Sequence, residues 1–498
     1  MIVIILVLSV IVLILWSIWS KHHIRKKYFQ NVPGPKPVPI FGNTLDLIAG
    51  PKVFLKTISG WMDIFGETIL VHDGPLSVLL MTMDYDLTQF IYNSSDHIDK
   101  GYQYTYLHGW LGNGLLTSTG LHWKLHRKAI TPSFHFSILK SFVPIFERIS
   151  DKFIDKLNAE VDKDSVEISK LVSVYTLNVI CEAAMGLQIT DKDETHLKYI
   201  NSIRNISNII SCRFVSPLHP ELYPFTWNYF KEIRLLKFIH NFIDNYIGKK
   251  KEKLKTYINN EPEVKETLTE SKEKLVFLDH LIKTTINGRP LSDIELRDEV
   301  NTFMFEGHDT TSSAISFCLY NLSLHSSVQE KVLQEQKSLF GADLKKATPT
   351  YNQLNEMKYL EMVIKESLRL FPSVPLVARR LSSDLNYNGT VYPKGLNVLL
   401  YTYGIHRNPK YYTDPDRFIP ERFESNNGRL PFSYLPFSAG LRNCIGQRFA
   451  MLELLSVISK VIRNFELKPA NPFHEVELSA ELVLISVNGI KISLSRRK

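Results

Sequence analysis

The chain opens on an unbroken apolar run. Residues Met1 to Trp19 include no charged side chain, and Lys21, Arg25, Lys26 and Lys27 follow at once. A run of this length can cross the hydrocarbon core of a bilayer. It is too long for the apolar part of a typical signal peptide, it lacks a charged leading region, and no A-x-A-like site follows. The pattern therefore predicts an uncleaved transmembrane anchor over 1–20, with a cleaved secretory signal as the alternative. The basic cluster behind it predicts a cytosolic location for everything downstream. On that topology the sequons at Asn93, Asn205, Asn321 and Asn388 are unused. Pro33, Pro35, Pro37 and Pro39 then alternate with other residues, which fixes an extended, stiff segment. A basic, proline-rich linker over 21–45 would hold the body, 46–498, at a set angle to the membrane.

Within the body, apolar residues recur mostly at helical spacing. Helices are predicted over 138–157, 236–258, 293–324, 354–370 and 449–465. Strand-like runs cover 67–71, 76–81, 397–403 and 483–494, the last with a hairpin signal at Asn488-Gly489. The lysine-rich stretch 249–274 reads as a solvated helix end and loop. Pro415, Pro420, Pro431 and Pro436 mark a long irregular stretch. The expected fold class is mainly α with a smaller β region.

Composition narrows the chemistry. With 498 residues, 44% hydrophobic and 22% charged, there is ample material for a large core. Cys181, Cys212, Cys318 and Cys444 are scattered with no C-x-x-C spacing. That argues against zinc ribbons, iron–sulfur clusters and a disulfide framework, and fits a reducing compartment. The net charge of +8 suits a solvated basic surface, anionic lipid headgroups or an acidic electron-transfer partner. No nucleic-acid motif occurs, and the basic residues are dispersed.

Cys444 stands apart from the other cysteines because of its surroundings, Phe437-Ser-Ala-Gly440-Leu-Arg442-Asn-Cys444-Ile-Gly446. Glycine lets a backbone turn and approach a porphyrin closely. Backbone N–H groups and the start of a following helix can hold the sulfur as an anion. Arg442 is placed to pair with a haem propionate. The run resembles the haem-binding loop of the cytochrome P450 haem-thiolate monooxygenases, and the resemblance extends from the N-terminal run to the last strand. It implies that Cys444 is the proximal iron ligand, whose electron push favours O–O cleavage. Phe437 belongs to the same loop.

A second segment, Phe303-Met-Phe-Glu306-Gly307-His308-Asp309-Thr310-Thr311, interrupts a long helical pattern. A mid-helix glycine costs about 1 kcal/mol relative to alanine, and local rule-breaking of this kind is expected at functional sites. The gap at Gly307 would admit dioxygen, Asp309 would pass protons inward, and Thr310 by resemblance is a proton-relay residue. A kinked helix with a satisfied threonine hydroxyl is the plain alternative. Glu306 narrows the resemblance to the family 4 branch, which includes fatty-acid ω-hydroxylases. There the glutamate can form an ester with a haem methyl, so a covalently held haem fraction is implied. A carboxylate at the haem edge is otherwise costly unless paired or protonated. Asn301 stands where that branch commonly has Asp.

Supporting positions follow by resemblance. Trp123 and Arg127, four apart on one helix face, would donate to a haem propionate, with Arg379 as a second partner and Arg380 as its competitor. Glu366, Arg369 and Arg422 would lock the irregular stretch before Cys444. Lys124 and Lys128 offer a basic face for an acidic reductase, or simple solvation. Tyr102, Tyr104, Tyr106, Trp110, Leu376, Val377 and Val487 are candidate substrate contacts by position.

The reading that results is a membrane-bound haem-thiolate monooxygenase of cytochrome P450-type fold. Its cofactors would be haem b, O2 and NADPH through a partner. That partner would be NADPH–cytochrome P450 reductase, with cytochrome b5 as a further donor. The substrate would be apolar: a fatty acid, hydrocarbon, terpenoid or foreign compound. The location would be the endoplasmic reticulum membrane, catalytic domain in the cytosol, with no nucleic acid bound. The rivals are a peroxide isomerase that needs no reductase, which the Asp309-Thr310 pair disfavours, and a haem-binding sensor or carrier without turnover.

Overall fold

The computed structural model describes residues 31–74, 77–187, 194–216, 220–260, 277–341, 344–424 and 430–497, together with Tyr28, Phe29 and scattered positions between 9 and 19. Most of the predicted 1–20 anchor and part of the 249–274 stretch lie outside the described residues. The positions described between 9 and 19 are helical, and Ile11, Val12, Leu15, Trp16 and Trp19 are exposed.

The main helices are α1 (Pro51–Phe65), α2 (Tyr85–Asn93), α3 (Gly120–Ile130), α4 (Phe136–Asn158), α5 (Ile168–Met185), α6 (Glu194–Phe214), α7 (Trp227–Asn260), α8 (Asp293–Leu324), α9 (Ser326–Phe340), α10 (Lys358–Leu370) and α11 (Gln447–Asn464). A four-stranded sheet lies beside them: β1 (Thr68–Asp73), β2 (Ser77–Thr82), β3 (Val377–Arg380) and β4 (Asn397–Leu400). Its order is β1-β2-β4-β3, with β2 and β4 parallel and the other pairs antiparallel.

Helix α8 is the axis of the molecule. Ser292 starts it with a capping box: its hydroxyl accepts from Glu295 N–H, and the Glu295 carboxylate accepts from Ser292 N–H. Apolar and small residues surround most of its length, and a helix hydrophobic on all sides belongs in a core. It packs against α5, α7, α10 and α11. Helix α5 is long and apolar enough to cross a membrane, yet it is packed between α4 and α8, which makes it a core helix. A second apolar cluster, including Phe29, Leu80, Val398 and Leu400, fills the space around the sheet.

Three local expectations change. The predicted 354–370 helix is broken at Met357 into Tyr351–Glu356 and α10. The Glu335 carboxylate of α9 accepts from Tyr359 and Leu360 N–H at 2.6 and 3.0 Å, a tertiary cap that begins a new helix. The 397–403 strand ends at Leu400, and a helical turn, Thr402–Ile405, follows. Asn488-Gly489 is a turn, with Gly489 at φ 80°, but not a hairpin. Leu484–Ser486 pairs with Leu478–Ala480, while Lys491–Arg496 pairs with Phe465–Pro469 and with Val166–Glu167. The turn passes the chain between two sheets.

Candidate active site

A largely apolar cavity of about 370 Å³, partly open to solvent, lies between α8 and the loop that precedes α11. Cys444, Phe437, Arg442, Trp123, Arg127, Arg379, Glu306, Gly307 and Thr310 all line it. Residues far apart in sequence thus meet at one place. Asp309 is not among the lining residues.

The Cys444 loop is held by its own backbone and by α2. Gly440 sits at φ 66°, and a Cβ there would collide with the Tyr92 carbonyl. Cys444 N–H donates to Phe437 O at 2.9 Å, and Asn443 N–H to Gly440 O at 3.1 Å. Burial, then the Glu306 carboxylate, push the Cys444 thiol up to about 11, against backbone N–H donation from Gly446 and Gln447 and the Arg127 charge. A coordinated metal deprotonates such a ligand outright.

On the α8 side, burial raises the Glu306 carboxyl to about 7, with Lys100 opposing and Asp309 reinforcing the shift. The Thr310 hydroxyl donates to Glu306 O at 2.5 Å, and Ser373 donates to Thr310 O at 2.8 Å. The back-bonded threonine of the plain alternative is therefore present, although its oxygen still borders the cavity. The gap expected at Gly307 is filled from α5: a Cβ there would lie 2.6 Å from Ile180 Cδ1. Glycine lets α5 and α8 close on each other. Asp309 points away, its carboxylate 3.0 Å from His308 Nδ1, while His308 Nε2 meets Ser173. Helical phase explains it, since Asp309 falls about 100° from Thr310.

The remaining wall is cationic. Arg379 is buried and Arg380 exposed. Arg442 donates to the carbonyls of Ile98, Leu115 and Ser118 and stacks over Trp123 at 4.2 Å. Arg127 donates to Asn443 O and Oδ1 at 2.9 and 2.8 Å, bracing the residue before Cys444. Lys100, absent from the sequence-based candidates, also lines the cavity. Burial, then Arg379 and Arg442, hold its ammonium well below the usual lysine range. Burial and then Arg379 bring Arg442 down to about 9. Clustered cations that depress one another fit a ligand with two carboxylates. These cations and the Cys444 thiol are the donor set a haem would need, the former for its propionates and the latter for its iron.

The comparisons agree. A family model described as Cytochrome P450 matches residues 32–493. The chain belongs to the cytochrome P450 family. It is 38% identical to Cytochrome P450 4d2 of Drosophila melanogaster over 99% of each chain. It is 38% identical to Cytochrome P450 4V2 of Mus musculus, over 92% of this chain and 88% of that protein. With Cytochrome P450 4c21 of Blattella germanica it shares 35% over 96% of each. It is thus a haem-thiolate monooxygenase with the mainly α fold of that family, using haem iron and O2 and drawing electrons from a redox partner.

Around this P450 centre the supporting positions are distributed as follows. Arg369 and Glu366 form a buried pair, 2.7 and 2.8 Å apart at two points, and Arg422 Nε reaches Glu366 at 3.3 Å. Glu366 also accepts from Ile419 N–H at 2.9 Å, joining α10 to the irregular stretch. Tyr102, Tyr104, Leu376 and Val377 line the cavity. Tyr106 instead lies under Arg213, and Trp110 packs on Phe305 at 4.7 Å. Val487 is exposed. Lys124 and Lys128 are exposed on α3.

Proposed function

We propose that this P450 inserts one oxygen atom into a C–H bond of an apolar substrate, with electrons from NADPH delivered by a membrane-bound reductase and by cytochrome b5. The observation that carries the reading is a mostly apolar cavity bordered by Cys444 on one side and by Glu306, Gly307 and Thr310 on the other. When bound, haem iron with a thiolate ligand supplies the activation of O2. Cys444 is the iron ligand in this proposal, and Phe437 closes its loop. Trp123, Arg127, Arg379 and Arg442 hold the propionates, with Lys100 beside them. Thr310 keeps a hydroxyl at the cavity wall, ready to accept a proton-bearing water. Asp309 serves the proton supply from behind α8, by way of solvent rather than directly. Glu306, titrating near neutrality, exists partly as the carboxylate, which could close an ester on a haem methyl; that step would break one methyl C–H bond and remove two electrons, with O2 as the oxidant.

The domain plan proposed is an anchor over 1–20, a linker over 21–45 and a monooxygenase body over 46–498, at the cytosolic face of the endoplasmic reticulum. A patch around the start of α7 favours a membrane surface: Leu222, Phe225, Trp227, Phe230 and Ile233 are all exposed, Phe225 by 83% and Trp227 by 87%.

Turnover of purified protein with reductase and NADPH on fatty acids, hydrocarbons and terpenoids, with mass-spectrometric product identification, tests the reading. Terminal hydroxylation of a fatty acid is the expected result. Oxidation of terpenoids alone would remove the fatty-acid assignment. Conversion of a hydroperoxide without NADPH would overturn the proposal in favour of the isomerase.

A further inference from the structure

We propose that His122, His126 and Glu295 form a divalent-metal site, for Zn2+ by its donor set, that ties α3 to the first turns of α8. The three side chains place potential ligand atoms within 4.8 Å of one another. His122 and His126 are four apart on α3, and their rings stack with centroids 4.0 Å apart. Two imidazoles and a carboxylate, with a fourth position left for water, is a recurrent zinc arrangement.

The hydrogen bonds prepare the site. His122 Nε2 lies 3.1 Å from the Asn113 carbonyl. A carbonyl only accepts, so Nε2 carries the proton and Nδ1 keeps its lone pair. His126 Nδ1 lies 2.7 Å from Glu299 Oε1. With the proton there, Nε2 is left facing Glu295 Oε1 at 3.7 Å. A ligand pair in a tetrahedral zinc site is about 3.4 Å apart, given bonds near 2.0–2.1 Å, so this pair needs only a small closure, while the other pairs, within 4.8 Å, close by up to about 1.4 Å. A carboxylate behind a ligating histidine is the usual outer support of such sites, and Glu299 is also fixed by Leu115 N–H at 3.0 Å. Glu295 is oriented in advance by Arg289 at 2.7 and 2.8 Å and by Ser292 N–H at 2.8 Å.

Charge and burial agree with this arrangement. His126 and Glu299 have side chains only 3% and 0% exposed, so the cluster is built into the interface rather than loose on the surface. The two positive charges of the ion would meet Glu295 and Glu299, with Asp298 close by and Arg289 opposing.

The site is outside the cavity, yet each histidine is the sequence neighbour of a cavity residue: Trp123 follows His122, and Arg127 follows His126. Zinc would pin α3 on α8 and so fix where Trp123 and Arg127 stand relative to Glu306. Its role is positioning.

The test uses untagged, full-length, haem-loaded protein, stripped with EDTA and dialysed against buffered ZnCl2, with bound metal measured by mass spectrometry. One saturable equivalent of Zn2+ and a rise in Tm are expected. His122→Ala, a half-buried position whose loss leaves the His126–Glu299 contact in place, should remove both while the haem absorbance stays normal. Glu299→Gln should weaken binding by about 10- to 100-fold. His108→Ala, at an exposed histidine elsewhere, should leave the equivalent intact. No saturable equivalent, or an equivalent that survives in His122→Ala, would overturn the proposal.

Discussion

Two sets of buried charges lie within this molecule, and they are treated in opposite ways. At the base of α10, Arg369 uses every N–H it has: two on Glu366 and one each on the carbonyls of His406, Pro415 and Arg417. Glu366 is equally engaged. In the cavity, the Glu306 carboxylate makes no hydrogen bond or ion pair among the described residues, and Lys100, Arg379 and Arg442 crowd one another. A buried charge is tolerated when its partners are fixed, so the first set is scaffold. The second set is incomplete by itself, and incompleteness in a cavity marks where a ligand's charges belong.

Breaking the completed set should have the largest effect. Arg369→Ala leaves Glu366 buried without its main partner and strips three carbonyls of their donor, a loss of about 3–5 kcal/mol. Haem absorbance per mole of protein should fall to a small fraction of wild type. Normal haem incorporation in this variant would contradict the scaffold assignment. Next in size is Gly307→Ala, whose new methyl meets Ile180 and should cost about 1–3 kcal/mol by overpacking. Combining it with Ile180→Ala should recover part of that loss in thermal unfolding, because the two sites are in contact. Strictly additive losses would show that Gly307 serves something other than the fit of α8 on α5.

These positions also show what could be read from the sequence. Helix α8 was legible because its apolar pattern is long and Ser292 and Glu295 spell out its start. The Cys444 loop was legible because glycine, arginine and cysteine stand at fixed offsets. Lys100 was not. Asp99-Lys100-Gly101 shows only a charge, and its place comes from a bridge to Arg379 and from Gly101 N–H on Ala378 O, contacts between distant parts of the chain. The turn at Asn488-Gly489 was correctly seen, but its strands chose other partners, a decision made outside the local sequence. Helical phase sets Asp309 about 100° from Thr310, off the cavity wall, so a proton supply from Asp309 would run through water, as the sequence reading has it.

Within the incomplete set, Glu306→Gln should change a slope rather than impose a fixed loss. In the unfolded chain Glu306 ionises near the ordinary carboxyl value of 4.5, and in the haem-free folded protein near 7. The unfolded state therefore sheds its proton first. Wild-type stability relative to Glu306→Gln should be greatest below about pH 4.5, decline as pH rises, and level off above about 7. Haem-linked protein should lack this decline, because an ester does not titrate, and acid–organic extraction should leave part of its haem on the wild-type chain and none on the variant. Complete extraction from wild type would remove the covalent link.

The smallest effect is expected at the edge of the scaffold. Arg422 touches Glu366 through Nε at 3.3 Å and gives Nη2 to the Asp414 carbonyl at 2.8 Å, with its side chain 14% exposed. Removing it leaves Glu366 still held by two Arg369 bonds and by Ile419 N–H, so no charge is left buried alone. Solvent can reach the vacated space and hydrate what remains. Arg422→Ala should therefore cost no more than about 1 kcal/mol and incorporate haem normally, measured beside Arg369→Ala under the same conditions. Equal losses in the two variants would mean that the three side chains act as one unit. The distinction between a satisfied centre and a dispensable rim would then fail, and with it the use of unmet hydrogen-bonding capacity to separate scaffold charges from site charges in this fold.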